Sequence, residues 1–250
     1  MQRYRSNIFW HFTGSPKGIN WSEVKKPTDI LDHGSPLDDH DALDVALKIL
    51  ESSILLGTCS EHLSENDITE KFCCVTDIPM KDLYNHAKYY GKVAIGFSAQ
   101  SIYEKFLPVT YVPLRHLPAS EKKIIPDQEA LDYAEYCMYN GNLHDADYYE
   151  HMAYTEYGRE VISAVDKDKV GSVFTNFLKL TEFGLKGEDT FYSEREWRHI
   201  GDYKFSPHDI EVVVAPKELL NGIYEFLSSG KSGVKLGGVS VVSWELVVGA

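Results

Sequence analysis

Cysteine, long apolar runs and positive charge are all scarce in this sequence. The 250 residues include four cysteines and no CxxC pair, which excludes a zinc ribbon and a thioredoxin-type redox motif. No stretch reaches the roughly twenty apolar residues of a membrane helix, and the first residues contain no apolar segment typical of a secretory signal. We therefore expect a cytoplasmic protein whose cysteines are small buried side chains in a reducing compartment.

Positive charge is outnumbered by negative charge. The 25 Lys and Arg residues stand against 38 Asp and Glu residues, so the formal net charge is −13. Binding to nucleic-acid phosphates depends on counterion release by Lys and Arg, so non-specific nucleic-acid binding is disfavoured, as is binding to an anionic membrane. The same charge suits a protein that docks on a basic surface of a partner protein.

The pattern of apolar and turn-forming residues predicts an α+β fold, with strands early and late in the chain and helices gathered between them. Residues 15–40 are rich in turn-forming residues and predict a long loop, whereas residues 127–185 predict a helical insertion within a single domain of residues 1–250. Strands are predicted at residues 8–13, 71–75, 93–98, 109–112, 194–200, 210–215 and 239–248, and helices at residues 41–56, 81–90 and 216–227.

Several short motifs follow one another in a recognisable order. FCCVTDIPM at residues 72–80 precedes His86 and Tyr90-Gly91, and PVTY at residues 108–111 precedes FYSEREWR at residues 191–198. This order resembles the bacterial abortive-infection proteins of the AbiGi type, over residues 8–216. The resemblance implies a role in anti-phage defence as the antitoxin-like half of a two-gene module, and therefore a protein partner encoded beside this chain.

A second resemblance concerns the fold. His11 and Thr13 in the first strand, a helix that ends in glycine, and a late strand carrying Glu196 are similar to the order of elements in ADP-ribosyltransferases. This resemblance implies small mixed or antiparallel sheets around a cleft that binds NAD, and an NAD-consuming glycosyl transfer as the reaction. The alternative is a non-catalytic antitoxin, immunity or sensing protein that binds a partner protein.

Glu194 and Glu196 are the candidate catalytic residues. On a strand they share one face with Arg198, because alternate residues point to the same side. A carboxylate beside the ribose stabilises the oxocarbenium-like centre that forms when the glycosidic bond of NAD breaks. The Glu-x-Glu spacing also resembles that of arginine-modifying transferases. The alternative is a ladder of ion pairs on a solvated edge strand.

Six residues are candidates for binding the cofactor: His11, Thr13, Asp77, His86, Tyr90 and Arg198. His11 and Thr13 share a strand face and could hydrogen-bond a ribose, although a core histidine bonded to a main-chain group is an equal alternative. Asp77 precedes Ile78-Pro79 and is expected to shape that turn. The helical spacing of His86 and Tyr90 is also consistent with packing alone.

Histidine and aspartate cluster at residues 32–41 and 144–151, which makes a metal-dependent phosphohydrolase a further alternative. His33 and His40 lie in a predicted loop, however, whereas such enzymes carry these ligands on helices. His40-Asp41 also resembles a helix N-terminus. We therefore expect no bound metal. The glycine-rich segment at residues 228–238 lacks the spacing of a phosphate-binding loop and predicts a turn.

Overall fold

A computed structural model of the chain describes residues 7–21, 23–63, 68–113, 174–181, 189–234 and 237–249. The chain forms two compact units. The large unit comprises residues 1–60, 70–109 and 184–250, and the small unit comprises residues 61–69 and 110–183. Within the described ranges, none of the helices has the length and apolar character needed to span a lipid bilayer.

Helices and strands are mixed along the chain, and the fold class is α+β as the sequence predicts. The strands are β1 (Ile8–Phe12), β2 (Ile54–Leu55), β3 (Phe72–Thr76), β4 (Ala94–Ser98), β5 (Leu107–Pro108), β6 (Thr110–Pro113), β7 (Leu178–Thr181), β8 (Glu196–Ile200), β9 (Tyr203–Lys204), β10 (Ile210–Ala215) and β11 (Ser240–Ser243). The α-helices are α1 (Pro27–His33), α2 (Asp39–Ser52), α3 (Leu83–Tyr90), α4 (Ala99–Tyr103), α5 (Leu220–Ser228) and α6 (Trp244–Val248).

The large unit is built on a seven-stranded sheet with the strand order β11-β10-β4-β1-β3-β8-β5. Neighbouring strands are antiparallel except for β10 and β11, which are parallel. Trp10 pairs with Thr76, and Thr76 pairs with Glu196, so these three side chains lie on one face of the sheet. His11 follows Trp10 on β1 and therefore points to the opposite face.

Each face of this sheet is covered by its own hydrophobic cluster. The face that carries Phe9 packs against α2 and α5, and we call it the α2 face. The face that carries Trp10 packs against α3 and α6, and we call it the α3 face. In α2 the buried residues recur at helical spacing, and Asp38 caps the helix by accepting the main-chain N–H groups of His40 and Asp41.

In the small unit, β6 and β7 pair in parallel, and Leu63, Val112, Leu178 and Leu180 form a hydrophobic cluster. Strand β7 falls inside the predicted helical insertion at residues 127–185, so that prediction is wrong at residues 178–181. Every residue of β7 is buried, and a short buried strand carries no alternation that would distinguish it from a buried helix. Residues 127–173 and 182–185 of the predicted insertion lie outside the described residues.

The predicted last strand at residues 239–248 is correct only in its first half. β11 ends at Ser243, and α6 begins immediately after it. The Ser243 hydroxyl accepts the N–H of Leu246, which is the hydrogen bond of a helix N-cap. A serine cap therefore ends the strand within a sequence that is otherwise rich in valine.

Three other predicted boundaries also differ from the structure. The strand predicted to begin at residue 194 begins at Glu196, because residues 191–194 form a 3₁₀ turn capped by Thr190. The predicted loop at residues 15–40 contains α1, which starts with Pro27, a residue well suited to the first helical position. The helix predicted at residues 41–56 spans residues 39–52 instead.

Candidate functional site

A cleft of about 340 Å³ lies in the large unit, next to α3. Its walls come from α1, from α3 and from the turn that precedes β8. The lining residues are Pro27, Tyr84, Asn85, His86, Lys88, Tyr89, Tyr90, Asp189, Ser193 and Glu194. The volume is at the lower end of the range of about 300–1,000 Å³ found for small-molecule sites. Three tyrosines and a histidine make the lining strongly aromatic.

Glu194 and Tyr90 are joined by a hydrogen bond in this cleft. The Tyr90 hydroxyl donates to Oε1 of Glu194, which is 7% exposed. Burial raises the pKa of the Tyr90 phenol well above its usual value, and the adjacent Glu194 charge raises it further. The phenol therefore remains a donor at neutral pH, and the cleft contains a largely buried carboxylate oriented by a tyrosine.

The turn that carries Glu194 is held by hydrogen bonds from two sides. The Thr190 hydroxyl accepts the N–H of Tyr192 at 3.3 Å, and the Thr76 hydroxyl donates to the main-chain oxygen of Glu194. Immediately afterwards Arg195 has a φ of 48°, in the left-handed region that non-glycine residues seldom occupy. This residue turns the chain from the 3₁₀ turn into β8.

Asp77 supports that left-handed residue directly. Nη2 of Arg195 donates to Oδ2 of Asp77 at 2.8 Å, and the main-chain N–H of Asp77 donates to the Arg195 carbonyl at 3.1 Å. Asp77 is 4% exposed. The DIP motif at residues 77–79 and the EREWR motif at residues 194–198 are therefore in contact through Asp77 and Arg195. Asp77 thus has a structural contact beyond its own turn.

Glu196 and Arg198 form a buried ion pair within β8. Nε of Arg198 donates to Oε1 of Glu196 at 2.8 Å, and Nη2 donates to Oε2 at 3.3 Å. Glu196 is 7% exposed and Arg198 is 0% exposed, with the guanidinium stacked 4.1 Å from the centre of the Phe72 ring. Neither residue is among those that line the cleft. The pair lies inside the sheet, between β3 and β5, and not on a solvated edge.

His11 and Thr13 lie away from Glu196. The register of β1 places His11 on the α2 face, and Thr13, which follows β1, contacts α2, whereas Glu196 is on the α3 face. The Thr13 hydroxyl donates to the main-chain oxygen of Ala42 in α2 at 2.7 Å, and Nδ1 of His11 is 2.9 Å from the Cys74 carbonyl oxygen. Burial lowers the pKa of His11, although the Cys74 hydrogen bond opposes that shift. The structure therefore does not bring these two residues to the carboxylates.

His86 lies in α3 and contributes its ring to the cleft. The ring stacks on Phe12 with a centroid distance of 5.6 Å and lies 5.7 Å from the Tyr90 ring. His86 is 8% exposed. The helical spacing of His86 is consistent with packing or with cofactor binding. The structure shows the packing, and the packed ring forms part of the cleft wall.

The charged lining residues are Lys88, Asp189 and Glu194. Asp189 accepts the N–H of Thr28 at 3.0 Å and its hydroxyl at 2.6 Å, and Lys26 lies 3.5 Å away. Burial acts to raise the pKa of Asp189, but these hydrogen bonds and the Lys26 charge outweigh it and lower the pKa. Lys88 is exposed, with Nζ 5.2 Å from the centre of the Tyr84 ring.

The eight candidate site residues fall into three groups. His86, Tyr90 and Glu194 line the cleft; Asp77, Glu196 and Arg198 support the turn or the sheet next to it; His11 and Thr13 lie on the opposite face. Sequence reasoning missed Asp189 and Ser193. The residues just before EREWR were the available signal, but only the fold brings them next to the helix that carries Tyr89 and Tyr90.

The histidine and aspartate cluster near residues 32–41 has ordinary structural contacts. Asp38 caps α2, and Nε2 of His33 lies 3.8 Å from Oε2 of Glu23. Across the described part of the chain, no group of three or more His, Cys, Asp or Glu side chains is arranged to hold a metal ion. Residues 144–151 lie outside the described residues.

Comparison with known proteins gives one match. The family model described as "Putative abortive phage resistance protein AbiGi, antitoxin" matches residues 52–218, which include both β3 and β8 and most of the cleft lining. No curated protein and no solved structure matches the chain. The match covers more than half of the sequence, and the motifs that meet around Asp77 and Arg195 lie within it. The chain belongs to the AbiGi family of abortive phage resistance proteins, whose description is that of an antitoxin.

Proposed function

We propose that this chain acts in abortive phage resistance by binding, and thereby neutralising, a partner protein encoded beside it. The family description supports a defence role of the antitoxin type. The observation that favours binding over catalysis is the buried Glu196–Arg198 pair. Glu196 belongs to the Glu-x-Glu motif, which is the strongest catalytic signal in the sequence. Its carboxylate pairs with Arg198, which has no solvent exposure.

The surface of the large unit also suits a protein partner. The net charge of −13 favours approach to a basic surface, because complementary fields accelerate encounter. Tyr84 and Tyr192 are 46% and 60% exposed and lie on elements that border the cleft, and Met80, which is 37% exposed, comes shortly before α3 in the chain. Tyrosine and methionine are enriched in protein interfaces relative to other surfaces. These features describe a surface that can bury aromatic area against a partner.

Co-expression with the neighbouring gene product tests this proposal. The two proteins are expected to co-elute at low salt, to associate more slowly as salt rises, and to restore growth to cells that the partner alone arrests. Expression of this chain alone should leave growth unchanged. Separate elution at low salt, together with growth arrest by this chain alone, would contradict the proposal and make the chain the effector.

A second candidate function is NAD-dependent glycosyl transfer, because His86, Tyr90 and Glu194 line the same cleft. In that reaction the bond between ribose C1′ and the nicotinamide nitrogen breaks and nicotinamide leaves. An acceptor oxygen or nitrogen then bonds to C1′ and loses its proton. The geometry favours Glu194 over Glu196 as the carboxylate beside the ribose, since Glu194 is the one that lines the cleft.

Release of nicotinamide from NAD by the purified chain tests this second function. Wild type should release nicotinamide and Glu194→Gln should not, while Glu225→Gln on α5 serves as a control with the same change in charge. Equal release by all three proteins, or none by wild type with and without its partner, counts against the cleft as an NAD site.

A further inference from the structure

The cleft next to α3 combines a carboxylate with aromatic walls. Glu194 supplies a largely buried carboxylate, and Tyr90 orients it. The Tyr89 ring lies 6.4 Å from the Tyr90 ring in an edge-to-face arrangement, and Tyr84 lines the same cleft. Carboxylates pair with guanidinium groups through two parallel hydrogen bonds, and aromatic rings stack on the guanidinium plane.

We propose that this cleft binds an arginine side chain presented by the partner protein. The inference rests on the proposed partner-binding function and names the group that the partner inserts. An arginine anchored in a pocket next to tyrosines is a common form of hot spot, in which a few residues provide most of the binding energy. The negative charge of the whole chain steers the same kind of group toward the cleft.

Size and charge both favour an arginine over a dinucleotide. The cleft volume of about 340 Å³ is near the lower limit for a drug-sized ligand, whereas one long side chain fits readily. Among the described lining residues, Asp189 and Glu194 are acidic, and the basic side chains are Lys88 and the imidazole of His86. A site for the pyrophosphate of NAD would instead be expected to gather cations or helix N-terminal N–H groups.

Lys88 makes the sign of the ligand charge measurable. It is exposed in α3, so Lys88→Gln is expected to fold normally. If the cleft holds an arginine, removing this cation strengthens binding by relieving repulsion; if the cleft holds a phosphate, the same change weakens binding. The Glu194→Gln variant has the opposite expectation in each case, and it retains an oxygen that accepts the Tyr90 hydroxyl.

The experiment uses the full chain and a capped Gly-Arg-Gly peptide, with the citrulline analogue as an uncharged probe of nearly the same shape. Binding is monitored through the NMR chemical shifts of α3. We expect a dissociation constant in the millimolar range for the arginine peptide and no binding of the citrulline peptide. Glu194→Gln should weaken that binding at least about tenfold, Lys88→Gln should tighten it, and Glu225→Gln should leave it unchanged. The same variants are then measured in the complex with the neighbouring gene product.

Each outcome bears on a separate claim. Weaker binding of both peptide and partner by Glu194→Gln, with tighter binding by Lys88→Gln, supports the arginine site. Equal binding of arginine and citrulline peptides, or weaker binding on Lys88→Gln, overturns it. If neither variant changes the affinity for the partner protein, the arginine site is also overturned, although the proposed partner binding is still supported. If no complex forms but the arginine peptide binds with the expected variant pattern, the proposed partner-binding function is contradicted, and the affinity of the cleft for arginine is supported.

Discussion

Glu194 and Glu196 stand two residues apart in the sequence, yet the structure gives them different surroundings. Glu194 ends a 3₁₀ turn and lines a cleft with Tyr90. Glu196 begins β8 and is paired with Arg198 inside the sheet. The left-handed conformation of Arg195, held by Asp77, separates the two environments. A carboxylate that lines a cleft is positioned to contribute to binding, whereas one paired inside the sheet contributes mainly to stability.

The largest expected effect is on the interior pair. Glu196→Ala removes a carboxylate that pairs with Arg198 in a site with no solvent exposure, and breaking a buried pair costs about 3–5 kcal/mol. Chemical denaturation should show this loss in the free energy of unfolding. The double change Glu196→Leu and Arg198→Met should recover most of it, because well-packed apolar residues can replace a buried pair. A loss below about 1 kcal/mol for Glu196→Ala would mean that the pair is not a structural element.

Tyr90→Phe should have a smaller effect. It removes a hydrogen bond to a charged acceptor, which is worth about 1.5–3 kcal/mol, while the ring is kept. The raised pKa of Tyr90 adds a pH signature. The stabilisation is fully present below the pKa of an unfolded tyrosine, about 10, and is lost as pH rises toward the folded value. Denaturation at pH 8 and at a higher pH should therefore show the gap between wild type and Tyr90→Phe closing.

A constant gap across that pH range would contradict the raised pKa of Tyr90. Tyr203→Phe is the control, because burial also raises the pKa of this tyrosine but Tyr203 does not line the cleft. Both variants should reduce the loss of stability at high pH. Only Tyr90→Phe is expected to alter binding in the cleft as well.

Features that depend on local sequence patterns could be predicted, whereas features that depend on contacts between distant residues could not. The positions of β1, β3, β4 and β10 follow from short β-prone runs bounded by turn residues, and these predictions are confirmed within one or two residues. The separation of Glu194 from Glu196 could not be predicted, because a strand pattern continues through Arg195, and the contact with Asp77 that accompanies its positive φ comes from a distant part of the sequence. Alternation along a strand also could not show that β1 and β8 present His11 and Glu196 to opposite faces, since that depends on register across β3.

The smallest expected effect concerns His11, on the face opposite the carboxylates. Burial lowers its pKa, so its neutral form is favoured in the folded state. That contribution to stability is present above the unfolded pKa of about 6.5 and is lost as pH falls toward the folded pKa. Wild type should therefore lose more stability than His11→Gln between pH 7 and pH 5. An equal loss in the two proteins would mean that His11 titrates as an exposed histidine does.

The central claim is that Glu194 serves binding and Glu196 serves stability, and one paired measurement tests it. Glu194→Gln and Glu196→Gln are each assayed for the free energy of unfolding and for affinity toward the co-expressed partner. We expect Glu194→Gln to lose affinity with nearly unchanged stability, and Glu196→Gln to lose several kcal/mol of stability, about the cost of breaking a buried pair. The contradicting result is an unchanged affinity for Glu194→Gln together with an unchanged free energy of unfolding for Glu196→Gln.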